Sequence, residues 1–261
     1  MQADILCADE IKKYLIKERK NNIAVFDTVD STNTVLKNLC AEGKARPGDC
    51  VTADCQTKGR GRRGKRFESD KGVGIYLSFL LGTGNATPDE ISEITAWGAV
   101  AVRRAIEKVC HAGSKIKWVN DIVCGRMKIC GILTEAITDF ESGQITNIVV
   151  GIGINCSCEG FPDEIQGIAG GIPGSYSKNA LAAEVVNQLL DIASDIEARG
   201  FIDEYRQSSM VIGKNINVIK TGREPAAAFA EDIDNNGALI VRYPDGTREA
   251  LTTGEVSIRL R

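Results

Sequence analysis

Lysine and arginine crowd one short stretch, Gln56 to Ser69, which reads QTKGRGRRGKRFES. Lys58, Arg60, Arg62, Arg63, Lys65 and Arg66 are interleaved there with Gly59, Gly61 and Gly64, and only Glu68 opposes them. Glycine lets a backbone take positive φ and come close to a ligand. Guanidinium forks match carboxylate and phosphate oxygens. Such a stretch can close over an anion; it can equally be a solvated basic loop or a patch for nucleic acid. Four other segments hold residue types suited to chemistry. Ser31-Thr32-Asn33 reads as a helix cap or as a polar cluster for a urea- or amide-like head. KWVND, Lys117 to Asp121, reads as a turn with an ion pair. It can also be a place where Asn120 and Asp121 hold a nucleotide and magnesium, an ion that takes carboxylate oxygen together with phosphate oxygens and water. KICGILTE, Lys128 to Glu135, brings a lysine into an apolar strand, which is costly unless it meets an anion. Its Gly131 permits close approach of a ligand, although a surface lysine at a strand edge fits the same residues. GIGIN, Gly151 to Asn155, either thins the end of a buried strand or marks a bulge.

Charge and composition narrow these choices. The chain has 261 residues and a net charge of −3. Residues 56–71 hold seven basic and two acidic side chains, or +5, so the remainder is near −8. Basic charge focused in one loop of an acidic protein favours a local anion site over a nucleic-acid face, where it spreads more widely. Nine cysteines form no CxxC pair, and His111 is the only histidine, which disfavours a closed zinc site and Ser-His or Cys-His triads. Cysteines inside apolar runs suit a reducing cytoplasm. The N-terminus, MQADILCADEIKKYL, has acidic residues where a signal peptide is basic then apolar, and no apolar run reaches spanning length, so no membrane partner is expected.

The elements that must position these residues follow from periodicity and breakers. Residues 4–20 predict an amphipathic helix, Ile23–Phe26 a strand, and Thr34–Cys40 a helix capped by Ser31, Thr32 or Asn33. Cys50–Cys55 alternates as a strand into the basic loop, and Val73–Leu81 is the buried strand beyond it. Thr87-Pro88 starts a helix that runs to about His111, with Ile91, Ile94, Trp97, Ala101, Ala105 and Val109 on its buried face. Short strands at Lys115–Trp118 and Asp121–Cys124 precede a hairpin of Lys128–Thr138 and Gln144–Ile154. A helix covers about Ser177–Arg199, and Phe201–Ser208 adds helical turns. Past Ser209 come closely spaced strands at Ile216–Lys220, Ala226–Ile233, Leu239–Arg242 and Arg248–Leu251, separated by turn residues, which suggests a small barrel. The expected division is residues 1–209 and 210–261.

Taken in order and spacing, the segments resemble the biotin protein ligase family, whose pattern is GRGRxGRxWxS, KWPNDI, KxxGILxE and GxGxN. Here these are Gly59–Ser69, Lys117–Ile122, Lys128–Glu135 and Gly151–Asn155, and the Ser31-Thr32-Asn33 triplet matches too. The resemblance covers nearly the whole chain. It implies an α+β fold, a mixed or antiparallel sheet in a catalytic domain of the biotin/lipoate-ligase type followed by a small SH3-like β-barrel. It implies ATP-dependent biotinylation in two steps: biotin is adenylated to biotinyl-5′-AMP, then passed to a lysine of a biotin carboxyl carrier protein domain. Arg62 and Lys128 would be catalytic. Ser31, Thr32, Asn33 and Gln56 would hold the biotin head; Gly59, Arg60, Gly61 and Arg62 would line its tail, with Lys128 and Gly131. ATP would meet Arg62, Arg63, Lys65, Phe67, Lys117, Asn120 and Asn155, with Mg2+ on Asp121. The loop would act as a closing lid, mobile without ligand. A homodimer through a sheet edge follows by family analogy. Only 30 residues precede Ser31, so no DNA-binding helix-turn-helix is expected. Three positions depart from the pattern: Phe67 for tryptophan, Lys65 for arginine, and Val119 for proline, the last expected to loosen the turn before Asn120. A lipoate or octanoate ligase, a nucleic-acid-binding protein and a non-catalytic biotin-binding regulator remain as alternatives. The triplet and the full loop favour biotin over lipoate, and Lys128 with Asp121 favours catalysis.

Overall fold

The computed structural model describes residues 5–16, 21–86, 90–139, 141–194, 200–252 and 256–260. Its centre is a mixed seven-stranded sheet. In spatial order the strands are β1 (Ile23–Val29), β2 (Cys50–Gln56), β3 (Gly74–Ala86), β7 (Ile145–Asn155), β6 (Met127–Thr138), β5 (Asp121–Cys124) and β4 (Lys115–Lys117). β1 and β2 pair in parallel and the other neighbours are antiparallel. The parallel pair is joined by helix α2 (Thr32–Ala41), as a parallel connection requires a crossover.

Alternation along the strands makes two different faces. Ile75, Leu77 and Phe79 of β3 join Ile148, Val150, Ile152 and Ile154 of β7 in the main core. Helices α3 (Glu90–Cys110) and α4 (Lys178–Ala193) cover that face with Trp97, Val100, Leu181, Val185 and Leu189. On the opposite face α2 packs Leu36 against Val51, Leu80 and Val149. That helix covers only part of the face, and the open remainder over β6 and β7 becomes the cleft. Helix α5 (Gly200–Gln207) buries Phe201, Ile202 and Tyr205, and Glu204 takes both Arg103 and Arg104 of α3.

A second sheet follows, antiparallel, in the order β11 (Arg248–Leu251), β10 (Leu239–Arg242), β9 (Ala226–Ile233), β8 (Asn215–Lys220) and β12 (Val256–Leu260). Among the described residues β11 and β12 share no ladder, so the sheet is open at its ends. It is tied to the first sheet where the indole Nε1 of Trp118 donates to the Gly237 carbonyl at 3.0 Å.

Several boundaries differ from expectation. The N-terminal helix α1 spans only Ala8–Tyr14; residues 1–4 and 17–20 of its expected range lie outside the described residues. Two asparagine side chains of α4 explain the short span, because they take backbone partners from the chain on either side of α1. Asn179 bonds Cys7 N and Ile5 O, and Asn187 bonds Ile16 N and Tyr14 O. An amide carries one donor face and one acceptor, so it can replace a backbone partner. Helix α2 begins at Thr32 rather than Thr34, β3 runs on to Ala86, and β12 was not anticipated. The expected start at Thr87-Pro88 and the end of the fourth helix at 195–199 also lie outside the described residues.

Candidate active site

The open part of the sheet forms the floor of a cleft of about 920 Å³. Gly131 of β6 pairs with Gly153 of β7, and Leu133 with Gly151, so three glycines share the cleft face. Missing side chains there are filled from above. A Cβ on Gly153 would lie 2.5 Å from Cε1 of Phe67, and one on Gly131 would lie 3.3 Å from its Cε2. A Cβ on Gly151 would run into the amide of Asn33. Phe67, from the basic loop, thus occupies the space over the Gly131–Gly153 pair, with the Tyr76 ring edge-on at 6.3 Å.

One end of the cleft is lined with amides and hydroxyls. Ser31 occupies the cap position of α2 but makes no side-chain cap bond. Gln56, the last residue of β2, does that work instead. Its Oε1 accepts from Thr32 N at 2.9 Å and from Thr32 Oγ1 at 3.1 Å, satisfying an amide that the helix leaves open. Its Nε2 donates to Ser69 Oγ at 3.0 Å, which ties the far end of the basic loop to the same point. Asn33 lies inside the helix, buried. Its Oδ1 accepts from Ser78 Oγ at 2.5 Å, and its Nδ2 donates to Glu135 Oε2 at 2.6 Å.

The basic loop is a narrow irregular hairpin. Gln56 N donates to Ser69 O, Phe67 N to Gly59 O and Gly61 N to Lys65 O, and Arg60 bridges Arg66 across it. At the tip, Arg62–Gly64 forms a single 3-10 turn with Arg63 at φ 58 and Gly64 at φ 71. Of the three glycines expected to allow positive φ or close approach, Gly64 takes positive φ. Gly59 is needed for lack of bulk: a Cβ there would collide with the Phe67 carbonyl on the other arm. Gly59 is also the one expected site residue that does not line the cleft.

Charged groups gather at the other end. Lys128 and Asp121 form an ion pair at 2.6 Å. Asn120 exchanges bonds with Ile132 through Nδ2 to its carbonyl and the reverse through the backbone, both at 2.9 Å. That fixes the amide oxygen toward Arg62, whose Nη1 donates to it at 3.3 Å. Burial pushes the Arg62 guanidinium pKa below its ordinary value, with Asp121 and Tyr205 working against the shift. A cation so poorly solvated gains much from an incoming anion. Arg63 donates to Thr221 Oγ1, in the turn after β8, at 2.8 Å, and Ile219 of β8 lines the cleft. Lys65 and Lys117 stand on the wall, and Asn155 is buried at the end of β7. In place of the loosening expected from Val119 standing where proline is usual, the turn before Asn120 is tied down: Val119 is buried and its carbonyl accepts from Tyr205 Oη at 2.8 Å.

Sequence reasoning gave no role to Ser78, Glu135, Ile219 or the segment from Phe161 to Ala169, all of which line the cleft or bond to its walls. Glu135 was within reach, since positions 131, 133 and 135 of one strand share a face. Phe161, Ile165, Ile168 and Ala169 follow no period; they reach the cleft because Lys128 N donates to Ile168 O and Gly170 N to Lys128 O. The cleft as built can hold an elongated molecule, its polar head among amides and hydroxyls and its anionic end beside Lys128 and Arg62.

Residues 25–155 match the biotin/lipoate A/B protein ligase family and residues 211–259 the biotin protein ligase C terminal domain. The chain is 30% identical over 257 residues to the bifunctional ligase/repressor BirA of Bacillus spizizenii, covering 94% of this chain and 77% of that protein. It is 29% identical over 246 residues to a biotin–[acetyl-CoA-carboxylase] ligase of Paracoccus denitrificans, covering 87% and 96%. In fold it is similar to a biotin protein ligase from Aquifex aeolicus in complex with biotin and ATP, at a TM-score of 0.76 and 24% identity over 92% of this chain and 99% of that one.

Proposed function

Because the chain belongs to the biotin/lipoate A/B protein ligase family, we propose that this cleft is where biotin meets ATP and where the activated biotin is held for its acceptor. The protein is a biotin protein ligase with biotin and ATP as substrates. It adenylates biotin and then transfers it to a lysine of a carrier protein. In the first step a biotin carboxylate oxygen attacks the α-phosphorus of ATP, the α–β P–O bond breaks and pyrophosphate leaves. In the second, the carrier amine attacks the acyl carbon, loses a proton, and AMP departs.

The observation that carries the assignment of roles is the convergence of Lys128, Asp121, Asn120 and Arg62 over one glycine floor. A carboxylate and a phosphate charge ~4 Å apart repel by about 4 kcal/mol at an effective dielectric of ~20. Lys128 and Arg62 turn that repulsion into stabilisation of the charge that develops between them. Ser31, Thr32, Asn33 and Gln56 hold the ureido head, and Arg60, Gly61 and Gly131 flank the tail. Arg63, Lys65, Phe67, Lys117 and Asn155 serve the nucleotide. Among the described residues no group of three or more His, Cys, Asp or Glu side chains gathers to hold a metal. Asp121 alone suits magnesium that arrives with ATP and keeps phosphate and water oxygens, where it would neutralise phosphate charge. The pinched loop shields the mixed anhydride from water. No enzyme nucleophile takes part.

A cytoplasmic location, a division into a catalytic unit at 1–209 and a C-terminal unit at 210–261, and a homodimer through an edge of the large sheet complete the reading. Purified protein with ATP and magnesium should exchange pyrophosphate into ATP when biotin is added, and should label a biotin carrier domain. Exchange driven by lipoate and not by biotin would overturn the substrate assignment.

A further inference from the structure

Glu135 takes no part in the chemistry above, yet its carboxylate is among the most contested groups at the cleft. It projects from β6 on the cleft face and is only 24% exposed. Three cationic or amide donors from two other elements reach it. Asn33 of α2 donates from Nδ2 at 2.6 Å. Arg60 of the loop's first arm donates from Nη2 at 3.1 Å, and Lys37 of α2 stands 3.4 Å away. The other guanidinium nitrogen, Arg60 Nη1, donates to Thr34 Oγ1 of α2 at 3.0 Å. The Asn33 amide cannot turn away, because its oxygen is held by Ser78 and the floor beneath is Gly151. Burial works to raise the Glu135 carboxyl pKa, but the Asn33 bond and the charges of Lys37 and Arg60 outweigh it and hold the group ionised below its ordinary range.

We infer that Glu135 is a positioning residue that couples the lid to the head pocket: it holds Arg60 and Asn33 on one carboxylate, so that the loop's first arm is seated only when the head-binding amide is in place. The guanidinium of Arg60 then serves as a staple onto α2 and β6 rather than as a ligand for the biotin carboxylate. Its neighbours Gly61 and Arg62 are left to face the ligand. Charge-assisted bonds of this kind set geometry well. A pair this open to solvent adds little to folding stability, so its loss is read in the loop before it is read in the fold. The part that concerns biotin rests on the function proposed above; the part that concerns the loop does not.

Glu135→Gln keeps an acceptor for Asn33 but gives Arg60 no charge. In ligand-free protein, trypsin should then cut between residues 58 and 66 roughly 5- to 10-fold faster than in the wild type, as cleavage follows the open population. In pyrophosphate exchange its KM for biotin should rise about 10-fold while kcat moves less than about 2-fold, the mark of lost positioning in the bound ground state. Arg60→Ala should act on the same link, so the double variant should be no worse than the more affected single one. Should Glu135→Gln fail to fold, Arg60→Gln breaks the staple while leaving Glu135 with Asn33, and the same increase in cleavage is expected. Cleavage at the wild-type rate, or effects of the two substitutions that multiply, would overturn the coupling. The trypsin readout needs no substrate, so exchange driven by an acid other than biotin would sink the functional reading and leave the coupling to be judged by proteolysis.

Discussion

Lys128 is held ready by an ion pair with Asp121 at 2.6 Å, with its backbone locked to the 168–170 segment on both sides. Arriving phosphate and magnesium would divide that pair, lysine to the anion and carboxylate to the cation. Lys128→Ala should lower pyrophosphate exchange by ~100-fold or more, the range seen when one donor to a developing charge is removed, while the melting temperature stays near that of the wild type. Near-normal exchange would refute the role. At Glu135 the folded-state pKa lies below its ordinary value of 4.5. Its contribution to stability is therefore complete above pH 4.5 and is lost as pH falls through the lowered value. The melting-temperature difference between wild type and Glu135→Gln should accordingly be constant near neutrality and close only in acid below pH 4.5; a gap already closed at pH 4.5 would contradict the lowered pKa. At this scale the motifs expected to meet do line one cleft, because each sits on a strand or at its end and the sheet brings those ends together. It could not show that Gln56 rather than Ser31 caps α2, since that bond joins residues 24 positions apart.

Elements matter most at the floor. Gly131, Gly151 and Gly153 were visible in the sequence as strand glycines with two readings, bulge or close approach. What decides between them is the Phe67 ring, which lies on the Gly131–Gly153 pair and comes from a hairpin more than sixty residues earlier. Gly153→Ala forces that ring up by the width of a methyl group. ATP affinity should fall about 10-fold or more, as misplaced binding surfaces commonly cost, and calorimetric titration reads it; full affinity would mean that the ring is not part of the nucleotide's surroundings. The loop was legible in composition but not in its hydrogen bonding: three backbone bonds pinch it, and Gly59 serves by its lack of a Cβ. The extent of α1 was not legible either: periodicity continued past Tyr14, but Asn187 claims the Tyr14 carbonyl and the Ile16 amide.

Across the whole molecule, two contacts fasten the KWVND turn from opposite sides. Tyr205 Oη reaches the Val119 carbonyl, and the Trp118 indole reaches Gly237 in the turn between β9 and β10. Tyr205 is fully buried, and burial pushes its phenol pKa far above the ordinary range, so it remains a donor at any working pH. Tyr205→Phe leaves that carbonyl unpaired, at a cost of about 1–3 kcal/mol, or roughly 2–10 °C in melting temperature for a chain of this size; an unchanged melting curve would show that the carbonyl finds another donor. The two-part architecture was legible from turn spacing after Ser209. The fifth strand of the second sheet, Val256–Leu260, which pairs with β8, was not, nor was the entry of Ile219 into the cleft, which depends on how the two sheets meet.

The two asparagines of α4 have a consequence in hydrogen exchange. The amides of Cys7 and Ile16 flank α1, and each donates to a side chain rather than to the backbone. An amide held in this way exchanges only when the side chain lets go or the helix that bears it opens. Cys7 and Ile16 should therefore take up deuterium at the rate at which the N-terminal segment lifts off α4, and Asn187→Ala should speed Ile16 while leaving Cys7 slow. Loss of protection at both together would mean that the segment lifts as one piece.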